Sequence, residues 1–166
     1  MFQQRARHSG ANMVQLSTYL SPRHVVLDLG GDSKAELLQG AGRCLEALID
    51  GLDAAEITDL LVARESLAST GVGSGIAIPH ASSAALSEPC IAMFRTSGPV
   101  DFDSVDGEPV TLMLVVLAPK NAQALHLRIL ARVARLVRST AVREQLLEIA
   151  TPEQVCRYIG EVEGAL

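Results

Sequence analysis

The segment Ser69-Thr70-Gly71-Val72-Gly73-Ser74-Gly75-Ile76-Ala77-Ile78-Pro79-His80 constrains folding more than any other stretch of the chain. Its three glycines, at alternate positions, give a backbone free to take positive φ or to let another segment pass close by. The apolar Ile76-Ala77-Ile78 that follows reads as extended chain. Proline fixes its own φ and pushes the residue before it into an extended conformation, so Pro79 is expected to present His80 on a stiff strand end. Three familiar loops do not fit. A dinucleotide fingerprint needs Gly where Ile76 stands, a Walker loop needs Gly-Lys-Ser/Thr, and a nucleophile elbow around Ser74 needs Gly where Val72 stands. Taken alone, the glycines describe a tight turn as well as they describe a ligand loop.

The flanking pattern supplies the elements that would hold this turn. A short helical turn is expected at Ser17–Leu20, then a strand over His24–Leu29 and a chain reversal at Gly30-Gly31-Asp32. Ser33-Lys34-Ala35-Glu36 is a capping box that opens a helix running to about Ile49, with Leu37, Leu38, Ala41, Leu45 and Leu48 inward. Asp53-Ala54-Ala55-Glu56 is a second box, opening a helix to about Arg64 with Ile57, Leu60 and Leu61 inward. Cys90–Thr96 and Val110–Leu117 read as strands on either side of the turn-rich Gly98–Pro109. Ala124–Arg138 reads as a helix, Val142–Glu148 as more helix, and Thr151-Pro152-Glu153-Gln154 as the box that starts the last one. Strands and helices alternate irregularly, which predicts an α/β fold with a mixed sheet.

Composition excludes several functions. The chain has 166 residues, 48% of them hydrophobic, enough for one domain with a real core. Fourteen Lys and Arg against nineteen Asp and Glu leave a net charge of −5, the wrong sign for a dedicated nucleic-acid binder. Aromatics make up only 3%, too few for a base-stacking platform or a sugar groove. Cys44, Cys90 and Cys156 are odd in number and widely spaced, and read as small hydrophobes in a reducing cytoplasm. Residues 1–12 are polar and aperiodic, with no apolar stretch after Arg5 and Arg7, and are expected to form a mobile leader and not a signal peptide. The apolar run Val110–Ala118 is about half the length a membrane helix needs, so no direct membrane insertion is expected.

Two further residues bear on chemistry. With His126 at the origin of a helical wheel, Leu130, Val133 and Val137 fall within about 40° of it, while Arg128, Arg132, Arg135 and Arg138 lie opposite. His126 is therefore inward, either as a structural histidine with a backbone partner or as a group aimed at an anion beside a helix N-terminus. The arginine stripe reads as a solvated face. Arg64, just before the glycines, either complements a helix C-terminus or reaches a phosphate at the loop. His80, His126 and Arg64 together fit phosphoryl transfer to and from histidine. A neutral imidazole is the nucleophile, and the protein aligns the group and stabilises its charge. No cofactor is expected. A metal site on His80 and His126 lacks a third ligand in either motif.

The run from Arg64-Glu65-Ser66 through Thr70-Gly71 and Gly75-Ile76-Ala77-Ile78-Pro79 to His80 resembles the active-site signature of the fructose/mannitol-type enzyme IIA domains of the bacterial phosphoenolpyruvate-dependent sugar phosphotransferase system. The likeness continues in Pro99-Val100-Asp101-Phe102-Asp103-Ser104-Val105-Asp106-Gly107-Glu108-Pro109-Val110, in Leu117-Ala118-Pro119 and in His126-Leu127-Arg128-Ile129-Leu130-Ala131. It spans residues 13–162, leaving a short tail at 163–166. The resemblance implies a mixed sheet flanked by helices on both sides. It also implies phosphorylation of His80 on Nε2, a hydrogen bond from His126 to the phosphoryl group, and charge stabilisation by Arg64. The implied donor is the phosphocarrier protein HPr or its nitrogen-branch counterpart. The implied targets are a IIB domain or regulatory proteins, the latter because a lone IIA domain resembles the nitrogen-regulatory enzyme IIA. Ala81-Ser82 stands where the family commonly has Gly followed by a basic residue, which removes one positive charge near the partner interface. A non-catalytic binding module on the same fold is the rival reading.

Overall fold

A computed structural model describes residues 13–166, so the leader expected over residues 1–12 lies outside the described residues. Turns of 3-10 helix at Leu16–Thr18 and Pro22–His24 lead into strand β1 (Val25–Leu29). Helices α1 (Lys34–Leu48) and α2 (Ala54–Leu67) follow. Then come β2 (Gly71–Gly73), β3 (Ile76–Ala77), β4 (His80–Ser83), β5 (Cys90–Val100) and β6 (Val110–Pro119). Helices α3 (Gln123–Val137), α4 (Thr140–Glu148) and α5 (Pro152–Glu163) close the chain.

The expected caps form. Ser33 Oγ accepts from the Glu36 amide at 3.2 Å while the Glu36 carboxylate reaches back to the Asp32 amide at 2.7 Å. Asp53 and Thr151 cap α2 and α5 in the same way, from the Glu56 and Gln154 amides. Helix α2 runs one turn past its expected end at Arg64, because Glu65-Ser66-Leu67 contains no helix breaker and Ala68 provides the extended exit. The inward faces are those expected, except that Leu48 and Leu60 are only half-buried.

The sheet order is β1-β5-β6-β3-β2, with β4 also on β6. It is mixed, since β5 runs antiparallel to β6 while β1 is parallel to β5 and both β3 and β4 are parallel to β6. Side chains alternate through β6. Met113, Val115 and Leu117 enter one core with Leu37, Leu38, Leu45, Ile57 and Leu61 of α1 and α2. Leu112, Leu114 and Val116 enter the other with Ile129, Val133 and Leu136 of α3 and Val155 and Ile159 of α5. Strands covered on both faces read as unbroken apolar runs, which is why Val110–Leu117 showed no polar alternation. Helices thus flank a mixed sheet on both sides, as expected.

The pairing on the far side of β6 is the part the sequence concealed. Ile76 pairs with Leu112 and Ala77 with Met113, and after Ile78-Pro79 the same register resumes with His80 on Val116 and Ala81 on Leu117. β3 and β4 are one strand line with a break at the proline. β4 was not expected, since Ala81-Ser82-Ser83 carries no β-branched or aromatic signal.

One expectation about charge is corrected, in α3. Arg132 is not solvated with the rest of its stripe: it is half-buried and donates from Nη2 to the Glu163 carbonyl at 2.7 Å, closing α5 against α3. Glu163, placed in the tail, is buried at the end of α5. Its carboxylate accepts the Leu16 amide at 2.6 Å and the Ser17 amide at 3.1 Å, together with the Ser17 hydroxyl. Glu163→Ala would strand the buried Leu16 amide away from water. Unfolding in urea should show a loss of about 1–3 kcal/mol, the cost of unsatisfied buried donors.

Candidate functional site

The site forms where α2, the β2–β3 hairpin, β4 and the start of α3 meet. The hairpin turns at Ser74 and Gly75, with φ of 56° and 78°, and two positive values in succession suit a tight hairpin loop. Ser74 tolerates its left-handed backbone because the Asp106 carboxylate holds its amide at 2.8 Å. Gly71 answers the other need: a Cβ there would sit 2.4 Å from Ser104 Oγ and 2.9 Å from Ser104 Cα. The glycines thus serve both backbone freedom and close approach.

His80 opens β4, and its ring is fixed from both nitrogens. Nδ1 lies 2.9 Å from the Ile78 carbonyl, an acceptor only, so Nδ1 carries the proton and donates it. Nε2 therefore keeps its lone pair and accepts from Arg64 Nε at 3.1 Å. Arg64 also donates from Nη1 to the Ala68 carbonyl at 3.0 Å, so it caps the end of α2 and touches the histidine with one guanidinium. Both roles considered for Arg64 in the sequence are compatible.

His126 comes from the first turn of α3. Its ring stands edge-on to that of His80, with centroids 5.8 Å apart and an interplanar angle of 77°. It is 9% exposed, and its buried Nε2 has no hydrogen-bond partner among the described residues. Buried polar atoms in native proteins are ordinarily paired, so an unmatched ring nitrogen beside a second histidine is a group open to a ligand. The three side chains singled out from the sequence are brought together.

Burial pushes the His80 pKa below the usual histidine value; the Ile78 carbonyl works against that, Arg64 adds to it and the Glu65 carboxylate opposes it. Burial, and then His80, lowers His126 as well. Both rings are held neutral, the nucleophilic form. Among the described residues no group of three His, Cys, Asp or Glu side chains could hold a metal ion.

Other site residues gave little sign of themselves. Glu65, buried, binds Thr70 and Lys34; Lys34 also pairs with Asp103 at 3.1 Å and lies over the Phe102 ring at 5.0 Å. The adjacency of Arg64 and Glu65 is a local signal, but Lys34 stands more than thirty positions away and has none. Ala81 is buried in β4 and Ser82 is half-buried, so the substituted pair is part of the sheet edge.

Residues 18–162 match the family described as phosphoenolpyruvate-dependent sugar phosphotransferase system, EIIA 2. The chain belongs to this family. A nitrogen regulatory protein of Pseudomonas aeruginosa is 35% identical over 152 residues, which are 92% of this chain and 99% of that one. A fructose-specific EIIA component of the same transport system, from Haloferax volcanii, is 39% identical over 76% of this chain and 78% of its own. Among solved structures, the nitrogen regulatory protein IIA-Ntr of Neisseria meningitidis superposes with a TM-score of 0.82 at 37% identity, covering 88% of this chain and 99% of that one. The mannitol IIA of Escherichia coli shares the fold at a TM-score of 0.70 and 19% identity, over 84% of this chain and 98% of that one. The chain is an enzyme IIA of the second type, with a mannitol-type fold and a phosphotransferase lineage. No helix among its described residues is long and apolar enough to cross a membrane.

His24, at the foot of β1, is also lowered by burial, so three histidines resist protonation in the folded enzyme IIA domain. Above the ordinary value of 6.5 they are neutral whether folded or not, and contribute no pH dependence. Below it the unfolded chain takes up protons first, so stability should drop as pH falls from 6.5 towards the folded values. Urea unfolding at pH 7 and pH 5 should show this loss, and His126→Asn should make it shallower.

Proposed function

We propose that the chain is a histidine phosphocarrier in which His80 Nε2 accepts a phosphoryl group from the phosphocarrier protein HPr or its nitrogen-branch counterpart. One observation carries this reading. The Ile78 carbonyl holds the Nδ1 proton, leaving Nε2 as the lone pair, with the Arg64 guanidinium and the His126 ring beside it. In the transfer, Nε2 attacks phosphorus in line. The new N–P bond forms as the donor's N–P bond breaks, and that electron pair returns to the donor imidazole. Arg64, and His126 Nε2, which has no partner among the described residues, would meet the equatorial oxygens and stabilise charge where it develops. The reverse steps pass the group on.

The relatives support a signalling use of this chemistry. Proteins of Pseudomonas aeruginosa and Neisseria meningitidis with nearly the same extent are named as nitrogen regulatory proteins. On this reading the phosphorylated and free states of a cytoplasmic protein report to regulatory partners. The second reading, a sugar-specific enzyme IIA that hands phosphate to a IIB cysteine, is favoured by the Haloferax volcanii relative. A structure of mannitol IIA with phosphorylated mannitol IIB has this fold at a TM-score of 0.71. Ser82, where a basic residue is common, leaves fewer positive charges for an acidic partner surface.

Incubation with phosphoenolpyruvate, enzyme I and HPr should add one phosphate by intact mass, and His80→Ala should add none. A labelled His80→Ala protein would reject the assignment, and an unlabelled native chain would favour the non-catalytic binding module. His126→Ala and Arg64→Ala should fold, and each should slow phosphorylation by about a hundredfold, the usual effect of removing one donor from a site of developing charge. Chasing the phosphorylated protein with a fructose-type IIB domain separates the two uses: label moving to its cysteine supports sugar transport, and label that stays supports signalling.

A further inference from the structure

Glu65 is 7% exposed, although a carboxylate is costly to bury without good reason. Both of its oxygens lie 3.0 Å from the Thr70 amide, and it also accepts the Thr70 hydroxyl and Lys34 Nζ, the last at 2.9 Å. The contacts continue from Thr70. Its carbonyl accepts the Ile78 amide at 2.9 Å, and the Ile78 carbonyl accepts the Nδ1 proton of His80 at 2.9 Å. His80 Nε2 accepts from Arg64, and Arg64 returns to the Ala68 carbonyl. The path leaves the last turn of α2 at Glu65 and comes back to the same turn at Arg64.

We propose that Glu65 is a positioning residue for His80, acting through Thr70 and Ile78 to hold the ring in its Nδ1–H tautomer with the Nε2 lone pair towards Arg64. The proposal rests on the reading of His80 as the acceptor. The tautomer matters because a ring with its proton on Nε2 has no lone pair there to attack phosphorus. Tautomer choice follows the hydrogen bond made by the other nitrogen, here the Ile78 carbonyl. That carbonyl is placed by the Thr70–Ile78 contact, and Thr70 is placed by Glu65. Lys34 is the countercharge that makes the buried carboxylate tolerable, and its second bond, to Asp103, ties the following turn to the same group. The Glu65 charge also offsets part of the Arg64 field at a ring whose pKa is lowered first by burial.

A staple between α2 and the hairpin would look the same in outline, so the test reads the ring itself. Glu65→Gln keeps the shape and one accepting oxygen but loses the charge. Lys34→Met removes the countercharge from a partly exposed position. Imidazole nitrogen shifts by NMR distinguish a protonated from an unprotonated ring nitrogen. In the native chain His80 should read as Nδ1–H. In Glu65→Gln the two nitrogens should move towards a mixed population, and kcat for phosphorylation should fall about tenfold, as for a displaced nucleophile, with the KM for the phosphorylated donor changed less than about twofold. Lys34→Met should move both readouts the same way by less. Folded variants with the native tautomer and native turnover would overturn the proposal and leave Glu65 a staple. If Glu65→Gln does not fold, Lys34→Met and Thr70→Val decide by the same two measurements. A native chain that shows the Nδ1–H ring but takes no phosphate would remove the acceptor reading without touching the tautomer comparison.

Discussion

Pro79 brings no N–H to the sheet, and the strand line that runs along β6 is divided there into β3 and β4. β6 still uses the Pro79 carbonyl, which accepts the Val116 amide at 3.0 Å, so register is kept on both sides of the interruption. The Ile78 amide is turned the other way, to the Thr70 carbonyl, and the Ile78 carbonyl accepts from His80. Tautomer, lone-pair direction and the contact with Arg64 all depend on that one acceptor.

Burial and charge act on that imidazole in a balanced way. Burial favours the neutral ring, Arg64 reinforces it, and the Ile78 carbonyl and Glu65 pull against it. The net result favours the neutral ring, with Nδ1 donating to the Ile78 carbonyl. The second histidine is also held neutral by burial, and its Nε2 is unmatched among the described residues. The two rings sit close together but do different things: one has its lone pair aimed, the other has capacity in reserve.

Much of this was legible in the sequence. Capping boxes gave the starts of α1, α2 and α5, the wheel placed His126 inward, and the glycines and Pro79 marked a specified backbone at His80. These are signals within a turn or two of the chain. What was not legible depends on distant partners. β4 exists because β6 offers it a register, not because Ala81-Ser82-Ser83 prefers a strand. Arg132 leaves its expected solvent position, and Glu163 is drawn into the core, because α5 packs back on α3 and on the N-terminal turn. Lys34 joins the site only because the N-terminus of α1 lies beside the last turn of α2.

The bond from Arg64 to His80 Nε2 covers the lone pair that reacts in the proposed transfer. An incoming group must therefore take the guanidinium away before it can be attacked. An anion can do so, because it offers Arg64 a charged acceptor in place of a neutral ring nitrogen, and charge-assisted bonds are the stronger. On the proposed reading, the resting histidine is covered by the same side chain that serves it, and a visitor bearing negative charge is the one best equipped to uncover it.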